Sequence, residues 1–423
     1  EVEAFVFYEK PLLKFERLME GYLATSPLGF KSFKAAIPDW AGKKLFLKRD
    51  INKNLQDFKK INFEKKIYFS EHHLSHLASS FYPSPFSKSL LLSIDGVGEM
   101  QTTSLAIGEN NKITIKEELN YPHSLGLLYS AFTYFLGFKV NDGEYKMMGL
   151  APYGSPKYEN LILNKIIDLK EDGSFQLNLK YFNFITGLTM TNNNFEELFG
   201  IPKRGKDEKI KQIHMDIASS IQKVTENILL LILRYAKEKY NYENLCLSGG
   251  VALNCVANGK IYKEGLFKNI WIQPASGDAG GSMGAALAYY YFDLGNERTD
   301  NMTNINGSYL GPNFKNDEII NYLLSINANF DEYNELDLLD EITNEIINGR
   351  IIGWFQGRTE FGPRALGNRS IIADPRNPDM QKTLNMKTKF REGFRPFAPV
   401  VLEEEVNNWF EFENSSPYML MVG

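Results

Sequence analysis

The chain has 423 residues, of which 43% are hydrophobic and 23% charged, a composition typical of a globular protein of about two or three domains. Its net charge of -5 gives no general attraction to nucleic acid or to acidic membranes, so neither is expected as a partner. No stretch reaches the roughly 18–20 apolar residues of a membrane-spanning helix. The two cysteines, Cys246 and Cys255, cannot form a disulfide framework, and we therefore expect a reducing, cytoplasmic environment.

The two ends of the chain both lie inside apolar runs. Residues 4–8 have the pattern of a strand, and the last residues, Tyr418–Gly423, are again largely apolar. The N-terminus has neither an initiator methionine nor the basic-then-apolar pattern of a signal peptide. We therefore expect a fragment that is clipped at both ends.

The first motif with chemical content is Glu71-His72-His73-Leu74-Ser75-His76, which holds three of the five histidines. Residues four apart lie on one face of a helix, so His72 and His76 can bind one metal ion together. His73 then points elsewhere.

Three strands and a helix follow this motif. Ser89–Ile94 has the pattern of a buried strand, and the next two strands are predicted over Thr102–Ile107 and Lys112–Glu117. Ser124–Phe138 is apolar on most faces, which predicts a buried helix.

The middle of the chain repeats one order of elements. A long amphipathic helix is predicted over Lys209–Lys239. The strand Asn244–Leu247 leads into a glycine pair, and the strand Ile270–Gln273 leads into the small-residue loop of residues 276–281. Met283–Tyr291 follows as an alanine-rich helix. Strand, small-residue loop and helix in this order are typical of mixed α/β nucleotide-binding folds.

A polar stretch between residues 293 and 311, rich in Gly, Asn, Asp and Thr, predicts a domain boundary. Beyond it, the pattern predicts helices over Asp317–Ser325 and Leu336–Asn348 and a strand over Ile351–Phe355. A strongly basic segment with many glycines and prolines then runs from residue 356 to residue 399. The sequence therefore predicts two domains.

Two carboxylates can complete a metal site with His72 and His76. Asp95 follows a buried strand, and Asp278 lies in the small-residue loop just before a helix. Two imidazoles and two carboxylates suit iron, which we favour, as well as manganese or zinc. The alternatives are that the histidines form a surface cluster, that Asp95 only marks a hairpin turn, and that Asp278 only caps a helix.

Glycine-rich loops supply candidate nucleotide contacts. Gly249 and Gly250 let the backbone approach a ligand where a helix begins, and Asn254 can hydrogen-bond a ribose or a phosphate. Gly143 and Glu144 belong to another loop of this kind. The alternative for each loop is an ordinary turn.

Cations of the basic segment are candidate contacts for the oxygens of phosphate and similar anions. Five of them carry this prediction: Arg358, Arg364, Lys387, Arg391 and Arg395. Arginine suits such oxygens because it makes charge-assisted and often bidentate contacts. The alternative is a solvated basic face or an RNA-binding strip.

Taken together, these motifs resemble the NodU-type carbamoyltransferases, and the resemblance covers essentially the whole chain. The segments that carry it are residues 71–76, 93–98, 122–126, 143–154, 248–254, 276–286, 357–370 and 387–399. The resemblance implies that residues 1–305 have the actin-like ATPase fold of the tRNA threonylcarbamoyl-transfer proteins. Residues 306–423 would then begin a YrdC-like α/β domain, with both domains truncated at the chain ends.

The resemblance also implies roles for individual residues. In the related proteins, the histidine pair and an aspartate matching Asp278 hold the metal, and an aspartate matching Asp95 joins them in the carbamoyltransferases. Lys387, Arg391 and Arg395 resemble the basic anion-binding segment of YrdC-like domains. Family members extend beyond both ends of this sequence, so the isolated chain is expected to lack parts of the active enzyme.

The activity that the resemblance implies is ATP-dependent O-carbamoyl transfer. ATP, as its magnesium complex, and carbamoyl phosphate would give carbamoyl adenylate in the second domain, and the first domain would pass the carbamoyl group to a hydroxyl of a small molecule. His123, which precedes a helix, is a candidate general base, and Lys146 is a candidate for neutralising phosphate charge. Their alternatives are a buried structural histidine and a solvated salt bridge. A homodimer is one assembly compatible with this prediction.

Three other classes of protein stay open. An actin-fold small-molecule kinase would use Asp95 as a base with magnesium, and a tRNA threonylcarbamoyl-transfer protein would share the first domain. A non-catalytic regulator that binds a nucleotide or a metal is the third. The histidine pair and the second, basic domain favour the carbamoyltransferase.

Overall fold

The computed structural model describes residues 2–298, 308–412 and 415–423. The chain divides into two compact units, Glu1–Thr303 with Leu420–Val422, and Asn304–Met419 with Gly423. The domain assignment made from the sequence, 1–305 and 306–423, divides the chain close to this boundary, among residues that lie outside the described ones, and stays a prediction. Within the described ranges, no helix combines the length and the apolar composition needed to cross a membrane.

The strands of the described chain are numbered in chain order. They are β1 (Phe5–Phe7), β2 (Ile67–Phe69), β3 (Lys88–Ile94), β4 (Gln101–Glu109), β5 (Lys112–Asn120), β6 (Ile167–Leu169), β7 (Phe175–Leu177), β8 (Asn244–Ser248), β9 (Asn269–Ile272), β10 (Ile352–Phe355) and β11 (Arg369–Ile372).

The helices are numbered in the same way. They are α1 (Pro11–Ala24), α2 (Phe30–Gly42), α3 (Leu47–Phe58), α4 (His72–Phe81), α5 (Leu125–Phe135), α6 (Glu144–Leu150), α7 (Glu159–Lys165), α8 (Asn193–Phe199), α9 (Gln212–Tyr240), α10 (Cys255–Glu264), α11 (Asp278–Leu287), α12 (Asn316–Ser325), α13 (Glu335–Ile347), α14 (Met380–Thr383) and α15 (Val406–Trp409).

The first unit is built on a five-stranded mixed sheet with the strand order β5-β4-β3-β8-β9. Strand β3 pairs antiparallel with β4 and parallel with β8, in a register that sets Ser93 beside Ser248. Strands β3, β8 and β9 therefore end at the same edge of the sheet. Open α/β sheets bind their ligands at the carboxyl ends of their parallel strands, so this edge is where a site is expected.

Helices cover both faces of this sheet. On one face, α4 and the strands share one core cluster, which includes Leu77, Phe81, Leu91, Ala106 and Cys246. On the other face, Leu92 of β3, Leu229 of α9 and Ile261 of α10 line one small internal space. Full burial of each large apolar side chain contributes about 1.5–3 kcal/mol, so these layers fix the sheet that carries the site.

The structure confirms a mixed α/β fold and most of the elements predicted from the sequence. One prediction is corrected, and one region has helices that were not predicted. The alanine-rich helix begins at Asp278, five residues earlier than predicted, because Gly280 and Gly281 belong to its first turns, where Gly281 packs against the Tyr8 ring. Helices α1, α2 and α3 had no counterpart among the predicted elements. The actin-like and YrdC-like assignments stay predictions.

Helices α4 and α11 cross at very short range. A Cβ atom at Gly284 of α11 would lie 1.8 Å from the carbonyl oxygen of Ser75 in α4 and 2.9 Å from the Cβ of Ser79. Only glycine therefore permits this crossing. The crossing matters because α4 carries His72 and His76, and α11 begins at Asp278.

The second unit contains a two-stranded antiparallel sheet, β10 with β11, and the acidic helices α12 and α13. Glu360 organises the loop before β11, since its buried carboxylate accepts N–H groups of Leu366, Asn368 and Arg369. Burial opposes ionisation, but the Arg369 guanidinium and these N–H donors lower the pKa of Glu360 to about 2.

We expect Gly284→Ala to destabilise the first unit by about 1–3 kcal/mol, because the added methyl group forces the two helix backbones apart. Urea unfolding of the purified chain measures this. Gly21→Ala is the matched control: Gly21 lies inside α1, and a methyl group added there would meet nothing within 4 Å, so alanine should stabilise by about 0.5–1 kcal/mol. Equal stability of Gly284→Ala and the unaltered chain would contradict the close crossing.

Candidate metal centre

Four side chains from three separate segments converge at the carboxyl edge of the sheet. They are His72, His76, Asp95 and Asp278, and one ligand atom from each lies within 4.8 Å of all the others. These are the four residues that the sequence predicted as metal ligands. The histidines are buried, Asp95 is largely buried, and the Asp278 side chain is 59% exposed. The cluster is therefore enclosed by protein but open to solvent on one side.

The two imidazoles face each other through the same nitrogen. His72 Nε2 and His76 Nε2 are 3.1 Å apart, because the residues lie one helical turn apart on α4. Both Nδ1 atoms are buried without a hydrogen-bond partner among the described residues. His73 lies on another side of the helix, where its Nδ1 bonds Ser104 Oγ at 2.8 Å.

The two carboxylates approach both imidazoles. Asp95 Oδ2 is 3.0 Å from His72 Nε2 and 3.7 Å from His76 Nε2, and Asp278 Oδ1 is 3.6 Å from each of them. Ligands about 2.1 Å from a tetrahedral ion lie roughly 3.4 Å from one another, so these separations fit four ligands of one ion. The donor set of two nitrogens and two oxygens suits iron, manganese or zinc.

Asp95 holds a second contact besides the histidines. Its Oδ1 accepts the backbone N–H of Gly250 at 3.0 Å, so the carboxylate joins the cluster to the glycine-rich loop after β8. Gly249 has φ +85°, and a Cβ there would lie 2.2 Å from the carbonyl oxygen of Ile94. The glycines thus allow the loop to close on the end of β3, which brings Gly250 to Asp95.

Asp278 is the first residue of α11, whereas the residue in the capping position is Gly277, and no side chain caps this helix. The position therefore differs from that of a typical N-cap aspartate. Its negative charge still lies favourably at the positive end of the helix.

The charges within the cluster support each other. Burial raises the pKa of Asp95, but the hydrogen bond from His72 and the nearby imidazole of His76 outweigh it and hold that pKa well below its usual range. Burial lowers the pKa of His76, but the carboxylates of Asp278 and Asp95, 3.6 and 3.7 Å from its Nε2, raise it to about 9. The carboxylates therefore favour a positive charge at the imidazole nitrogens. A divalent cation bound there would supply it.

Residues near the N-terminus also contact the cluster, and the sequence had not indicated them. The Tyr8 ring lies 5.6 Å from the His72 ring between centroids, and Glu9 Oε2 is 3.9 Å from His72 Nδ1. Burial and the negative charges of Asp278, Glu9 and Asp95 raise the pKa of Tyr8 to about 12, so its phenol stays protonated. No motif marks these residues, because the contacts join segments more than sixty positions apart.

His123 has a structural contact that restricts its predicted role. Its Nδ1 accepts the backbone N–H of Leu177 at 3.1 Å, and its carbonyl oxygen accepts the Thr102 hydroxyl. Burial lowers its pKa, which keeps the ring neutral near pH 7. A base at this position would have to act through Nε2, and the role stays a prediction.

The loop of Gly143 and Glu144 is held together by its own carboxylate. Glu144 accepts the Ser130 hydroxyl and the backbone N–H groups of Asn141 and Gly143. Its oxygens therefore serve the loop and the start of α6, the helix that also carries Lys146. Ligand contacts by this loop stay a prediction.

Asn254 belongs to a buried network. Its Oδ1 accepts from Gln222 and from the backbone N–H of Ala257, and its Nδ2 donates to Gln222. It thus caps α10 and ties the glycine-rich loop to α9. Its side chain is committed to protein contacts in this state, and the predicted ribose or phosphate contact remains untested.

The basic residues of the second unit have distinct surroundings. Arg391 donates to Asn385 Oδ1 and stacks on Phe397, and the Asn385 amide donates to the carbonyl oxygen of Arg395. Lys387 lies in the same π-helical turn, Leu384–Thr388, as Asn385. Asn385 therefore bonds the guanidinium of Arg391 and the backbone of Arg395, whereas the Arg395 guanidinium lies 3.7 Å from Glu392 Oε2.

The other two cations lie earlier in the second unit. Arg358 donates to the backbone carbonyl oxygens of Leu310 and Gly311. Arg364 is in the loop that Glu360 organises, between Glu360 and β11. Anion binding by all five stays a prediction.

Comparisons with known proteins show which family models and proteins this chain resembles. A family model described as the carbamoyltransferase N-terminus matches residues 1–287, and one described as the carbamoyltransferase C-terminus matches residues 343–423. An uncharacterized Synechocystis protein is 55% identical over 427 residues, covering 100% of this chain and 69% of that protein. Nodulation protein NolNO of Sinorhizobium fredii is 38% identical over 366 residues, covering 84% and 51%.

This chain thus spans between about half and about two thirds of the length of these two relatives. Among solved structures, T. kodakarensis HypF matches 60% of this chain and 40% of its own, with 14% identity and a TM-score of 0.31. A likeness of that size supports no argument about this chain.

We expect zinc to stabilise the unaltered chain by about 2.7 kcal/mol at a free concentration one hundred times its Kd, because only the folded state assembles the four ligands. His76→Ala should abolish this gain, as measured by thermal unfolding with and without zinc. His214→Ala is the matched control, since His214 is also a buried helical histidine but bonds the backbone N–H of Lys211. An equal zinc effect in His76→Ala would contradict the assignment.

Proposed function

This chain belongs to the carbamoyltransferase family, and from that membership we propose that it takes part in ATP-dependent O-carbamoylation of a small molecule. The carbamoyl group would come from carbamoyl phosphate and would reach the acceptor at a divalent metal ion. His72, His76, Asp95 and Asp278 would hold this ion. Iron is the preferred ion, with manganese and zinc as alternatives of the same ligand chemistry.

The observation that carries the metal proposal is the meeting of two imidazole nitrogens with two carboxylate oxygens. His72 Nε2 and His76 Nε2 are 3.1 Å apart, and without a cation they can share only one proton. Asp95 and Asp278 add two negative charges within 3.7 Å of these nitrogens. The two imidazoles are buried and Asp95 is largely buried, so a divalent cation between the four groups would offset the cost of holding these charges together.

The metal would supply Lewis-acid polarisation of the carbamoyl carbonyl group, which makes its carbon easier to attack. The protein would contribute orientation. Asp95 is fixed by the Gly250 N–H at one oxygen, so the other oxygen stays directed at the histidines. Tyr8 remains protonated beside them and can donate a hydrogen bond. The exposed Asp278 side of the cluster gives substrates access.

Donor activation would belong to the second unit. Hydrolysis of carbamoyl phosphate would release inorganic phosphate and leave carbamate. An oxygen of the carbamate would then attack the α-phosphate of magnesium-bound ATP, and pyrophosphate would leave. Arg391, Arg395 and Lys387, together with Arg358 and Arg364, are the cations proposed to stabilise these anions. The support for this role is that Arg391 bonds Asn385 Oδ1, while the Asn385 amide bonds the Arg395 backbone and Lys387 lies in the same helical turn.

Transfer would follow in the first unit. The acceptor hydroxyl would attack the carbamoyl carbon of the adenylate, its proton would pass to a base, and AMP would leave. His123 is the proposed base, acting through Nε2, and its lowered pKa keeps it neutral and able to accept a proton. Lys146 and the loops of Gly143 and Gly249 would contact the phosphate of the adenylate.

The setting of the reaction is also a proposal. Both cysteines are free thiols, which agrees with a reducing cytoplasm. The acceptor would be a hydroxyl-bearing small molecule, without a role for nucleic acid or membrane. A homodimer is the assembly we propose to test first.

The test measures pyrophosphate and AMP release by a protein extended to the length of its relatives. Pyrophosphate should appear from ATP only when carbamoyl phosphate is present. With glycerol as a generic hydroxyl acceptor, AMP should follow. The double variant His72→Ala/His76→Ala should keep pyrophosphate release and lose nearly all AMP release, because only transfer uses the metal.

His214→Ala controls for general damage from losing a buried histidine and should keep both products. Pyrophosphate release that does not depend on carbamoyl phosphate would contradict the donor. AMP release by the double variant at the unaltered rate would contradict the role of the metal centre.

A further inference from the structure

Glu99 is a buried carboxylate next to the metal cluster. It is not one of the four proposed metal ligands, and it does not lie in a loop proposed to contact the substrate. Its side chain is 3% exposed, although carboxylates are rarely buried without a specific partner. Its partners are backbone N–H groups. Oε1 and Oε2 lie 3.1 and 3.0 Å from the backbone nitrogen of His72, and Oε1 also accepts the N–H of Lys10 at 2.7 Å.

The bond to His72 meets a need of helix α4. The first N–H groups of a helix have no acceptor within the helix, and a preceding polar side chain usually supplies one. Here Glu71 occupies the capping position, but its side chain pairs with Lys10 Nζ and makes no cap. Glu99 supplies the acceptor from a distant turn, and its negative charge also suits the positive end of the helix.

This helix begins with a proposed metal ligand. His72 is the first residue of α4, where helices tend to fray, yet its Nε2 must stay within about 0.5 Å of a productive position. A bond to the backbone nitrogen of His72 itself restrains that residue more directly than a bond elsewhere in the helix. The same turn, which joins β3 to β4, holds Asp95 four residues before Glu99.

The same carboxylate also secures the N-terminal segment. Lys10 follows Tyr8 and Glu9, which lie against the His72 ring and near its Nδ1. Arg17 of α1 donates to the carbonyl oxygen of Gly98, so the turn and the N-terminal segment are tied twice. Glu99 thus joins three segments around one imidazole.

We propose that Glu99 is a positioning residue of the metal centre, which fixes the His72 backbone relative to Asp95 and to the segment of Tyr8 and Glu9. The inference rests on the proposed metal site but assigns a residue outside it. Glu99 is not a ligand itself, because its oxygens face N–H donors. Its loss weakens metal binding by misplacing His72, even where the fold survives.

The experiment is a titration of the full chain with cobalt(II), followed by the visible absorption of the bound ion. Cobalt is used because its absorption bands report coordination geometry as well as occupancy. We expect Glu99→Ala to raise the cobalt Kd about 10- to 100-fold, the range typical of lost outer contacts of a metal ligand, and to shift the bands. Glu99→Gln keeps an acceptor oxygen and should restore most of the affinity.

The matched control is Glu226→Ala. Glu226 is also 3% exposed and accepts from Gln222 and Lys260, in the helical layer on the opposite face of the sheet. It should lose stability to urea without a change in cobalt Kd or absorption. A cobalt Kd for Glu99→Ala that equals that of the unaltered chain would overturn the inference, as would the same rise in Kd for Glu226→Ala.

If Glu99→Ala does not fold, Glu99→Asp replaces it in the cobalt titration. It keeps the charge but shortens the side chain, so it cannot hold both backbone donors, and we expect a raised Kd and shifted bands. Behaviour identical to the unaltered chain would overturn the inference. Absence of cobalt binding by the unaltered chain would instead remove the proposed metal site, and the two failures are therefore distinguishable.

Discussion

The contact on which the candidate site depends is the close crossing of α4 and α11. Gly284 brings the α11 backbone so near the Ser75 carbonyl that no side chain fits between them. Because α4 carries both histidines and α11 begins at Asp278, the crossing determines whether Asp278 reaches the imidazoles. A separation wider by one methyl group would exceed the tolerance of a metal ligand set, which is a few tenths of an ångström.

The sheet positions Asp95, the ligand that neither of the two crossing helices carries. Strands β3 and β8 are parallel neighbours, so Asp95 after β3 and Gly250 after β8 meet at one edge. The helix crossing and the strand ends thus converge on the same point. The helices and the strand ends each contribute polar groups whose burial is unfavourable without a partner. A cation shared by all of these groups would offset that unfavourable free energy. The fold thereby brings together the groups that the carbamoyl transfer proposed for this chain would use.

Much of this site could be predicted from the sequence, because its ligands follow local rules. The spacing of His72 and His76 depends only on helical periodicity, and Asp95 and Asp278 stand where a strand ends and a helix begins. Contacts between distant segments could not be predicted in this way. Glu99 reaches a backbone nitrogen 27 positions away and carries no motif of its own. Asn254 has the residue type of a ligand contact, yet its amide is committed to Gln222.

The most direct test of the account is a crystal structure of this chain grown with manganese, analysed by anomalous scattering at the manganese edge. The account predicts one strong anomalous peak about 2.1–2.2 Å from His72 Nε2, His76 Nε2, Asp95 Oδ2 and Asp278 Oδ1. An ordered cluster with the same four side chains and no peak between them would contradict the metal centre, and with it the proposed route of carbamoyl transfer.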